Sequence, residues 1–355
     1  MYSGNNHKAY TLSARDLVLL QQVKADFTEI TRTKPKYLGL PPLWSKLPYL
    51  MLQHDLQETT KYFWKEYRLF NGLLETRDRH YTRSQIPKSN GGTRELMVPD
   101  CELRYHQHFI LHNILYKIPV SEHACAYHKH RGLTDLAAPH VGHDTLIHMD
   151  IRDFFSSITE QMVFEILMEE TGYPKAVAGF LSHLCCYKNY LPQGACTSPA
   201  LSNLCFKKCD EQIAMMARQH KLTYTRYSDD IYLSGNDVQS DEVIAEVKAI
   251  VQAHGFQLNK AKTKVLGPHQ AQKVTAIVVN EKMQVSRAYR RQLRQELHYL
   301  KCYGPDAKHA RSADSYLSYL NRLLGQIGFV LYVDPANQEF QNAQFFVEQL
   351  KYSCQ

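Results

Sequence analysis

The sequence predicts an α+β fold in which helical segments flank a central region rich in strands. Apolar residues recur at helical spacing over 11–30 and over most of 286–355. Between these regions, short runs of β-forming residues lie on either side of turn sequences. Strands and helices do not alternate regularly along the chain, and this argues against a doubly wound parallel sheet.

The individual elements follow from local patterns. Proline and glycine over 34–42 separate the first helix from a second one, over 47–67. Ser89-Asn90-Gly91-Gly92 predicts the turn of a hairpin within 81–100. Further helices are predicted over 102–117, 160–170, 175–187, 197–219 and 240–254, and further strands over 145–151, 223–227, 231–234, 263–267 and 274–279.

Length and composition are those of a globular protein with several subdomains. The chain has 355 residues, of which 44% are hydrophobic, and a formal net charge of +7. This basic excess is compatible with a polyanionic partner, but a basic enzyme that binds no nucleic acid has the same charge.

Cysteine usage and the lack of apolar segments indicate the compartment. The nine cysteines are scattered without a Cys-x-x-Cys pair, which favours reduced thiols in a reducing compartment. The N-terminus is polar, unlike a signal peptide, and no apolar run reaches the roughly 20 residues that a membrane helix needs. We therefore expect a cytoplasmic protein that does not contact a membrane.

The strongest chemical signal is a set of three acidic residues at the ends of predicted strands. Asp150 ends an apolar strand, and Asp229 and Asp230 lie at the tip of the hairpin 223–234. Two adjacent aspartates are often only a solvated turn, but the segments around this tip are apolar and aromatic. Three carboxylates on neighbouring strands can bridge two divalent cations about 3.5–4 Å apart, as phosphoryl transfer requires.

Three motifs, in order along the chain, resemble those of reverse transcriptases. They are Asp150-Ile151-Arg152-Asp153-Phe154-Phe155, the Gln-Gly loop within 191–199, and Tyr227-Ser228-Asp229-Asp230. The resemblance implies a right-hand polymerase with fingers, a palm built on an antiparallel sheet, and a short helical thumb. It also implies RNA-directed DNA synthesis with two Mg²⁺ ions.

The implied domain boundaries cover the whole chain. Residues 1–80 would form a helical extension of the fingers, 81–145 the fingers, 146–285 the palm with a fingers insertion at 175–199, and 286–355 the RNA-binding thumb.

The resemblance also assigns roles around the three acids. Phe155 would abut the sugar and select deoxynucleotides, whereas we interpret its neighbour Phe154 as a core residue. Lys262 would protonate or neutralise the leaving pyrophosphate, although a solvated lysine beside a strand is an open alternative. The remaining assignments are Arg94 and Lys88 to the triphosphate, Gln193 and Gly194 to template and nucleotide, and Ile151 to the nucleotide. The metal site is assigned to Asp150, Ile151, Asp229 and Asp230.

Within this family, the chain is most similar to bacterial retron reverse transcriptases. The likeness spans roughly 80–335 and is carried by 126–132, 185–194 and 226–231. It implies a bound structured noncoding RNA, deoxynucleoside triphosphates, a DNA copy joined to that RNA, and an effector protein of a phage-defence system. Leu136, Ala276 and Cys196 replace the usual Asn, Gly and Pro of retron enzymes, changes that we expect to bear on RNA handling and not on polymerisation.

Two further surfaces are candidates for RNA contact. A His-rich run includes His128, Lys129, Arg131 and His140, for which we favour RNA contact plus ordinary packing over a zinc site, because the spacing follows no zinc pattern. In the segment after residue 286, four arginines share one helix face at i, i+3, i+4 and i+7. They suit phosphate contacts, although a solvated helix face is an open alternative. They are Arg287, Arg290, Arg291 and Arg294.

Two rival functions remain open at this level. A defence-type reverse transcriptase could add nucleotides without a template, although the retained Gln193 loop argues against this. An RNA-binding scaffold with an inactive polymerase fold is the other alternative, and the three intact acids argue against it.

Overall fold

The computed structural model describes residues 76–87, 91–128, 131–173, 175–304 and 313–352. Within these ranges the predicted α+β class is confirmed. The predicted helices over 11–30 and 47–67 lie outside the described residues, as do Lys88 and two residues of the predicted turn, Ser89 and Asn90.

The helices of the described part are α1 (Cys101–Asn113), α2 (Leu133–Ala137), α3 (Phe154–Ser157), α4 (Glu160–Thr171), α5 (Lys175–Cys185), α6 (Ser198–Gln219), α7 (Ser240–Ala253), α8 (Arg287–Tyr303), α9 (Ala313–Val333) and α10 (Gln338–Tyr352). The strands are β1 (Tyr81–Pro87), β2 (Thr93–Pro99), β3 (Thr145–Asp150), β4 (Thr223–Tyr227), β5 (Asp230–Gly235), β6 (Lys264–Leu266), β7 (Lys273–Val274), β8 (Ile277–Val278) and β9 (Gln284–Val285). Among the described residues, none of the helices combines the length and the apolar character needed to cross a membrane.

The central element is a four-stranded antiparallel sheet in the order β4-β5-β3-β6. Strand β3 lies in its interior, and its side chains Leu146, Ile147 and Met149 are completely buried. A strand buried on both faces reads as a continuous apolar run, which is the pattern that predicted it.

One predicted strand is wrong. The segment 274–279 is not a single strand, because β7 and β8 pair with each other as a tight antiparallel hairpin. Thr275 lies between them with a φ of 52°, in the left-handed region that a continuous strand does not enter. Strand β9 completes this small sheet.

The described residues divide into two compact units, one with the described residues of 76–121 and 153–207, the other with those of 122–152 and 208–352. In the first unit, β1 and β2 form the predicted hairpin, and buried Gln107 of α1 donates to the Tyr81 hydroxyl at 2.8 Å. In the second unit, helices α8, α9 and α10 share an apolar cluster that includes Leu293, Leu323 and Val347. The predicted polymerase subdomain boundaries stay predictions.

Candidate active site

The three acids meet at one end of the central sheet. Strands β3 and β5 pair so that Asp150 lies opposite Asp230, and Tyr227 opposite Asp230 closes the β4–β5 hairpin. Ser228 and Asp229 form its tip, where Ser228 has a φ of 57°. The Asp229 carbonyl accepts the Ile151 backbone N–H at 2.8 Å, so the tip is hydrogen-bonded to the end of β3. Residues far apart in the sequence thus become neighbours.

Strand alternation places two further side chains beside the acids. Residues two apart on a strand share a face, so His148 lies beside Asp150, and Tyr232 beside Asp230. His148 Nε2 is 2.7 Å from Asp230 Oδ1, and its ring stacks on Tyr232 with centroids 4.8 Å apart. This contact of His148 was not predicted, although its spacing from Asp150 within one strand was a usable signal.

Lys262 reaches the acids through a backbone pairing that follows β3. The Arg152 N–H donates to the Gln257 carbonyl at 2.7 Å, and the Asn259 N–H donates to the Asp150 carbonyl at 2.8 Å. A 3-10 turn over Lys260–Lys262 then brings the Lys262 Nζ within 2.8 Å of Asp150 Oδ2. This hydrogen bond raises the pKa of Lys262, so the ammonium stays protonated at neutral pH.

The crowding of carboxylates gives the site its electrostatic character. Burial raises the pKa of Asp229, and the adjacent Asp230 and nearby Asp150 raise it further. Bound cations relieve such repulsion between carboxylates, and all-oxygen ligands suit Mg²⁺.

Two of the three carboxylates already have hydrogen-bond partners. Asp150 accepts from Lys262, and Asp230 contacts His148. In the described residues, no three or more His, Cys, Asp or Glu side chains are gathered in a way that could hold a metal ion. The residue types suit Mg²⁺, but as placed the side chains do not form such a group, and Lys262 and His148 already contact two of the carboxylates.

In the first unit, the Gln-Gly loop packs against strand β2. The Gln193 carbonyl accepts the Met97 N–H at 2.7 Å. Gly194 has a φ of 121°, and a Cβ there would lie 2.8 Å from the Met97 carbonyl oxygen. Only glycine fits this approach. Arg94 lies three residues before Met97 on the same strand and is exposed. Strand β2, which carries the candidate nucleotide contact Arg94, is therefore hydrogen-bonded to the loop that carries Gln193 and Gly194.

The two aromatic residues after Asp153 have different surroundings. Phe154 is buried and packs edge-on against Phe206 with centroids 5.6 Å apart, which confirms its interpretation as a core residue. Phe155 is only partly buried, and its predicted role at the sugar stays a prediction.

The structure contradicts the predicted RNA contact of His140. This side chain is completely buried and lies 2.7 Å from both the Thr225 and the Ser234 hydroxyls, which makes it a cross-link between β4 and β5. Leu136 is also completely buried, so the departure from asparagine there lies in the core. In the same run, His128 and Arg131 are partly exposed, and Lys129 lies outside the described residues.

The four arginines of α8 differ in exposure and in their hydrogen-bond partners. Arg287 and Arg291 are exposed, whereas Arg290 is partly buried and donates to Gln284 at 2.9 Å. Arg294 is exposed but makes a bidentate ion pair with Glu339 of α10, at 2.6 and 2.7 Å. Arg287 and Arg291 are therefore the stronger candidates for an external phosphate.

A buried ion pair beside the hairpin tip was missed from the sequence. Arg226 and Asp210 are both completely buried, with Arg226 one residue before the Tyr227 of the tip motif. A charged residue inside an otherwise β-forming run was the available signal, but its partner, on the preceding helix α6, carries no recognisable pattern.

Comparisons with known proteins identify the class of this fold and site. A family profile described as reverse transcriptase (RNA-dependent DNA polymerase) matches residues 86–300. The chain is thus an RNA-directed DNA polymerase by class, with the antiparallel palm sheet and helical C-terminal segment that the sequence predicted.

Relatives then identify the branch. Retron Ec86 reverse transcriptase of Escherichia coli is 32% identical over 278 residues, covering 76% of this chain and 85% of that protein. Retron Mx65 reverse transcriptase of Myxococcus xanthus is 35% identical over 265 residues, covering 70% of this chain and 62% of that protein. The chain belongs to the retron reverse transcriptases.

Solved structures of lower similarity include a telomerase from Candida albicans in complex with the TWJ fragment of telomeric RNA. It shares 11% identity and a TM-score of 0.39, covering 81% of this chain and 60% of that one.

Proposed function

We propose that this retron reverse transcriptase copies part of a bound structured noncoding RNA into DNA by two-metal phosphoryl transfer. The observation that carries the proposal is the convergence of Asp150, Asp229 and Asp230 at one end of the sheet. These carboxylates, with Ile151 beside them, would hold two Mg²⁺ ions. The ions would supply charge stabilisation for the attacking and leaving oxygens.

Further residues would bind and orient the substrates. Lys262, protonated and largely exposed, would transfer a proton to the leaving pyrophosphate or neutralise it. Arg94 would bind the triphosphate, with Gln193 and Gly194 at the template and the nucleotide. The ring of Phe155 would exclude a ribose 2′-OH.

The bound RNA would be held by basic residues of the second unit. Exposed Arg287 and Arg291 suit phosphate contacts, and His128 and Arg131 are candidates of the same kind. Because the relatives are retron enzymes, we propose that the DNA product stays joined to its RNA and that an effector protein of an anti-phage system binds the complex in the cytoplasm.

The decisive experiment is nucleotide incorporation by protein purified with its co-expressed RNA, in Mg²⁺. Two primed RNA templates of different length should give DNA products whose lengths follow the template. Asp229→Asn/Asp230→Asn, which keeps the side-chain shapes but removes both charges, should abolish the products. Asp241→Asn, at an exposed position on α7, is the matched control.

Each alternative outcome has a distinct meaning. Products whose length ignores the template would replace the proposal with untemplated synthesis. Incorporation that survives the double asparagine change would show that the acids do not carry the reaction.

A further inference from the structure

A buried ion pair lies beside the hairpin tip that carries two of the three acids. Arg226 donates from Nε to Asp210 Oδ1 and from Nη2 to Asp210 Oδ2, both at 2.7 Å. The Tyr224 hydroxyl also donates to Asp210, at 2.6 Å. Both charged side chains are completely buried, and all these residues belong to the second unit.

Stability alone is a poor explanation for this pair. Removing two charges from water is costly, and an apolar pair of similar volume often gives an equal or greater stability. A buried ion pair is better explained where its hydrogen bonds select one conformation over others. Arg226 should therefore make a contact that an apolar side chain could not make.

The third guanidinium nitrogen of Arg226 makes such a contact. Nη1 donates to the Ser228 carbonyl at 2.9 Å, so Arg226 reaches the tip of its own hairpin. The planar guanidinium directs donors to Asp210 and to Ser228 at once, which a lysine ammonium on a flexible stem does not reproduce.

The Ser228 backbone needs such support because of its conformation. Its φ of 57° is uncommon for a residue with a Cβ, and the Tyr127 hydroxyl also donates to the Ser228 side chain at 3.1 Å. The next residue is Asp229, followed by Asp230. The orientation of the Ser228 peptide therefore determines the positions of the Asp229 and Asp230 backbones, from which the two carboxylates extend.

Arg226 itself is fixed by the backbone on its other side. Its N–H donates to the His123 carbonyl at 2.8 Å, and its carbonyl accepts the Cys125 N–H at 2.9 Å. Asp210 is held in turn on α6, a helix of 22 residues. The tip is thus tied through Arg226 to two separate elements.

We propose that Arg226 and Asp210 are positioning residues that hold the Ser228 carbonyl and thereby set the placement of the Asp229 and Asp230 carboxylates for divalent cations. This inference rests on the proposed function of these carboxylates. Arg226 acts through Ser228 and does not itself touch the substrate.

The test removes the buried polar groups together, so that no charge is left unpaired. The variant Arg226→Met/Asp210→Leu/Tyr224→Phe replaces all three with apolar side chains, and Tyr224→Phe alone is its matched control. Mn²⁺ binding is measured by electron paramagnetic resonance, with Asp229→Asn/Asp230→Asn as the reference for the loss of the carboxylate site. Incorporation kinetics and thermal unfolding are recorded on the same proteins with their RNA bound.

We expect the triple variant to fold with a Tm close to that of the control. Its Mn²⁺ affinity should fall about tenfold and its kcat at least as much, while KM for the primed template stays unchanged, because misplaced carboxylates affect the chemical step. Arg226→Lys, which retains a positive charge beside Asp210 but not the directed contact with Ser228, should show the same deficit and provides the test if the triple variant does not fold.

Three results would overturn the inference. A folded triple variant, or Arg226→Lys, with control values of Mn²⁺ affinity and kcat would show that the pair only packs the core. A lowered Tm without a change in either quantity would show the same. If the unmodified protein binds Mn²⁺ no better than the asparagine reference, the carboxylate site of the proposed function fails as well, and the two failures are therefore distinguishable.

Discussion

The ammonium nitrogen of Lys262 lies 2.8 Å from Oδ2 of Asp150, although 112 positions separate the two residues. The contact depends on the backbone pairing of Asn259 with Asp150. It places a protonated, largely exposed group directly on a carboxylate that we propose as a metal ligand. Under the proposed function, Lys262 would neutralise Asp150 in the absence of a cation and would act on the leaving pyrophosphate during the reaction.

Replacing Lys262 should therefore impair catalysis without impairing folding. We expect Lys262→Met to lower kcat by about 10²-fold, the lower end of what a positioned proton donor contributes. The lysine end of its ion pair is largely exposed, although Asp150 is buried, and this exposure limits the loss in the free energy of unfolding. Single-turnover incorporation and thermal unfolding measure the two effects. Lys260→Met, in the same 3-10 turn and exposed, is the control, and an equal loss in both variants would refute a specific role.

The Gln-Gly loop should not tolerate a side chain at Gly194. The Cβ of Gly194→Ala would lie 2.8 Å from the Met97 carbonyl oxygen at a φ of 121°. We expect a loss of roughly 1–3 kcal/mol in the free energy of unfolding and a raised KM for deoxynucleotide, because the loop must shift away from β2. Gly267→Ala, where a Cβ meets nothing within 4 Å, should be neutral in denaturant titration and in kinetics.

Phe155 and Phe154 should respond differently to truncation. If Phe155 excludes the ribose 2′-OH, Phe155→Ala should raise the use of ribonucleotides relative to deoxynucleotides by about 10–100-fold, a range typical of steric discrimination. Phe154→Ala should instead destabilise the protein by about 3–5 kcal/mol, because it leaves a cavity beside Phe206. Competition between the two nucleotide types, together with chemical unfolding, separates these results; unchanged sugar selection in Phe155→Ala would refute its role.

His140 should make the protein less stable in acid. Burial lowers the pKa of His140 from 6.5 to about 3, with a smaller contribution from His143. The folded pKa lies below the unfolded one, so the unfolded chain binds a proton that the folded chain excludes. The stabilisation is complete above pH 6.5 and is lost at roughly 1.4 kcal/mol per pH unit as the pH falls from 6.5 toward 3.

Urea titrations at pH 7.5, 6 and 5 measure this slope. His140→Gln, which retains hydrogen-bonding groups but cannot be protonated, should flatten it. His269→Gln, at an exposed position, should leave it unchanged. A slope that is the same in His140→Gln and in the unmodified protein would assign the acid sensitivity to other groups.

The arginines of α8 should contribute unequally to RNA affinity. Arg287→Gln/Arg291→Gln should weaken binding of the partner RNA and reduce the dependence of log K on log salt by about two, one for each phosphate that is no longer neutralised. Arg294→Gln should have a smaller effect, because Arg294 already pairs with Glu339. Filter binding at several salt concentrations tests this order, and an equal effect of Arg294→Gln would contradict it.

Much of the fold was predictable because its signals are local. Hairpins β1–β2 and β4–β5 follow from turn residues between β-forming runs, and α4, α6 and α7 lie within one residue of their predicted bounds. The segment 274–279 was misassigned because the positive φ of Thr275, with no glycine to mark it, divides an apolar run that otherwise matches one strand.

The candidate site also combines features that the sequence predicts with features that only tertiary packing sets. The sequence by itself determined that Asp150 ends a strand, that Asp229 and Asp230 lie at a hairpin turn, and that the motifs have the order of a reverse transcriptase, because each of these is read directly along the chain. Strand register, which tertiary packing sets, placed Asp150 opposite Asp230. Tertiary packing also buried His140 and paired Arg226 with Asp210 on helix α6. The burial of a polar side chain depends on which distant segments cover it, and no local sequence pattern specifies those segments.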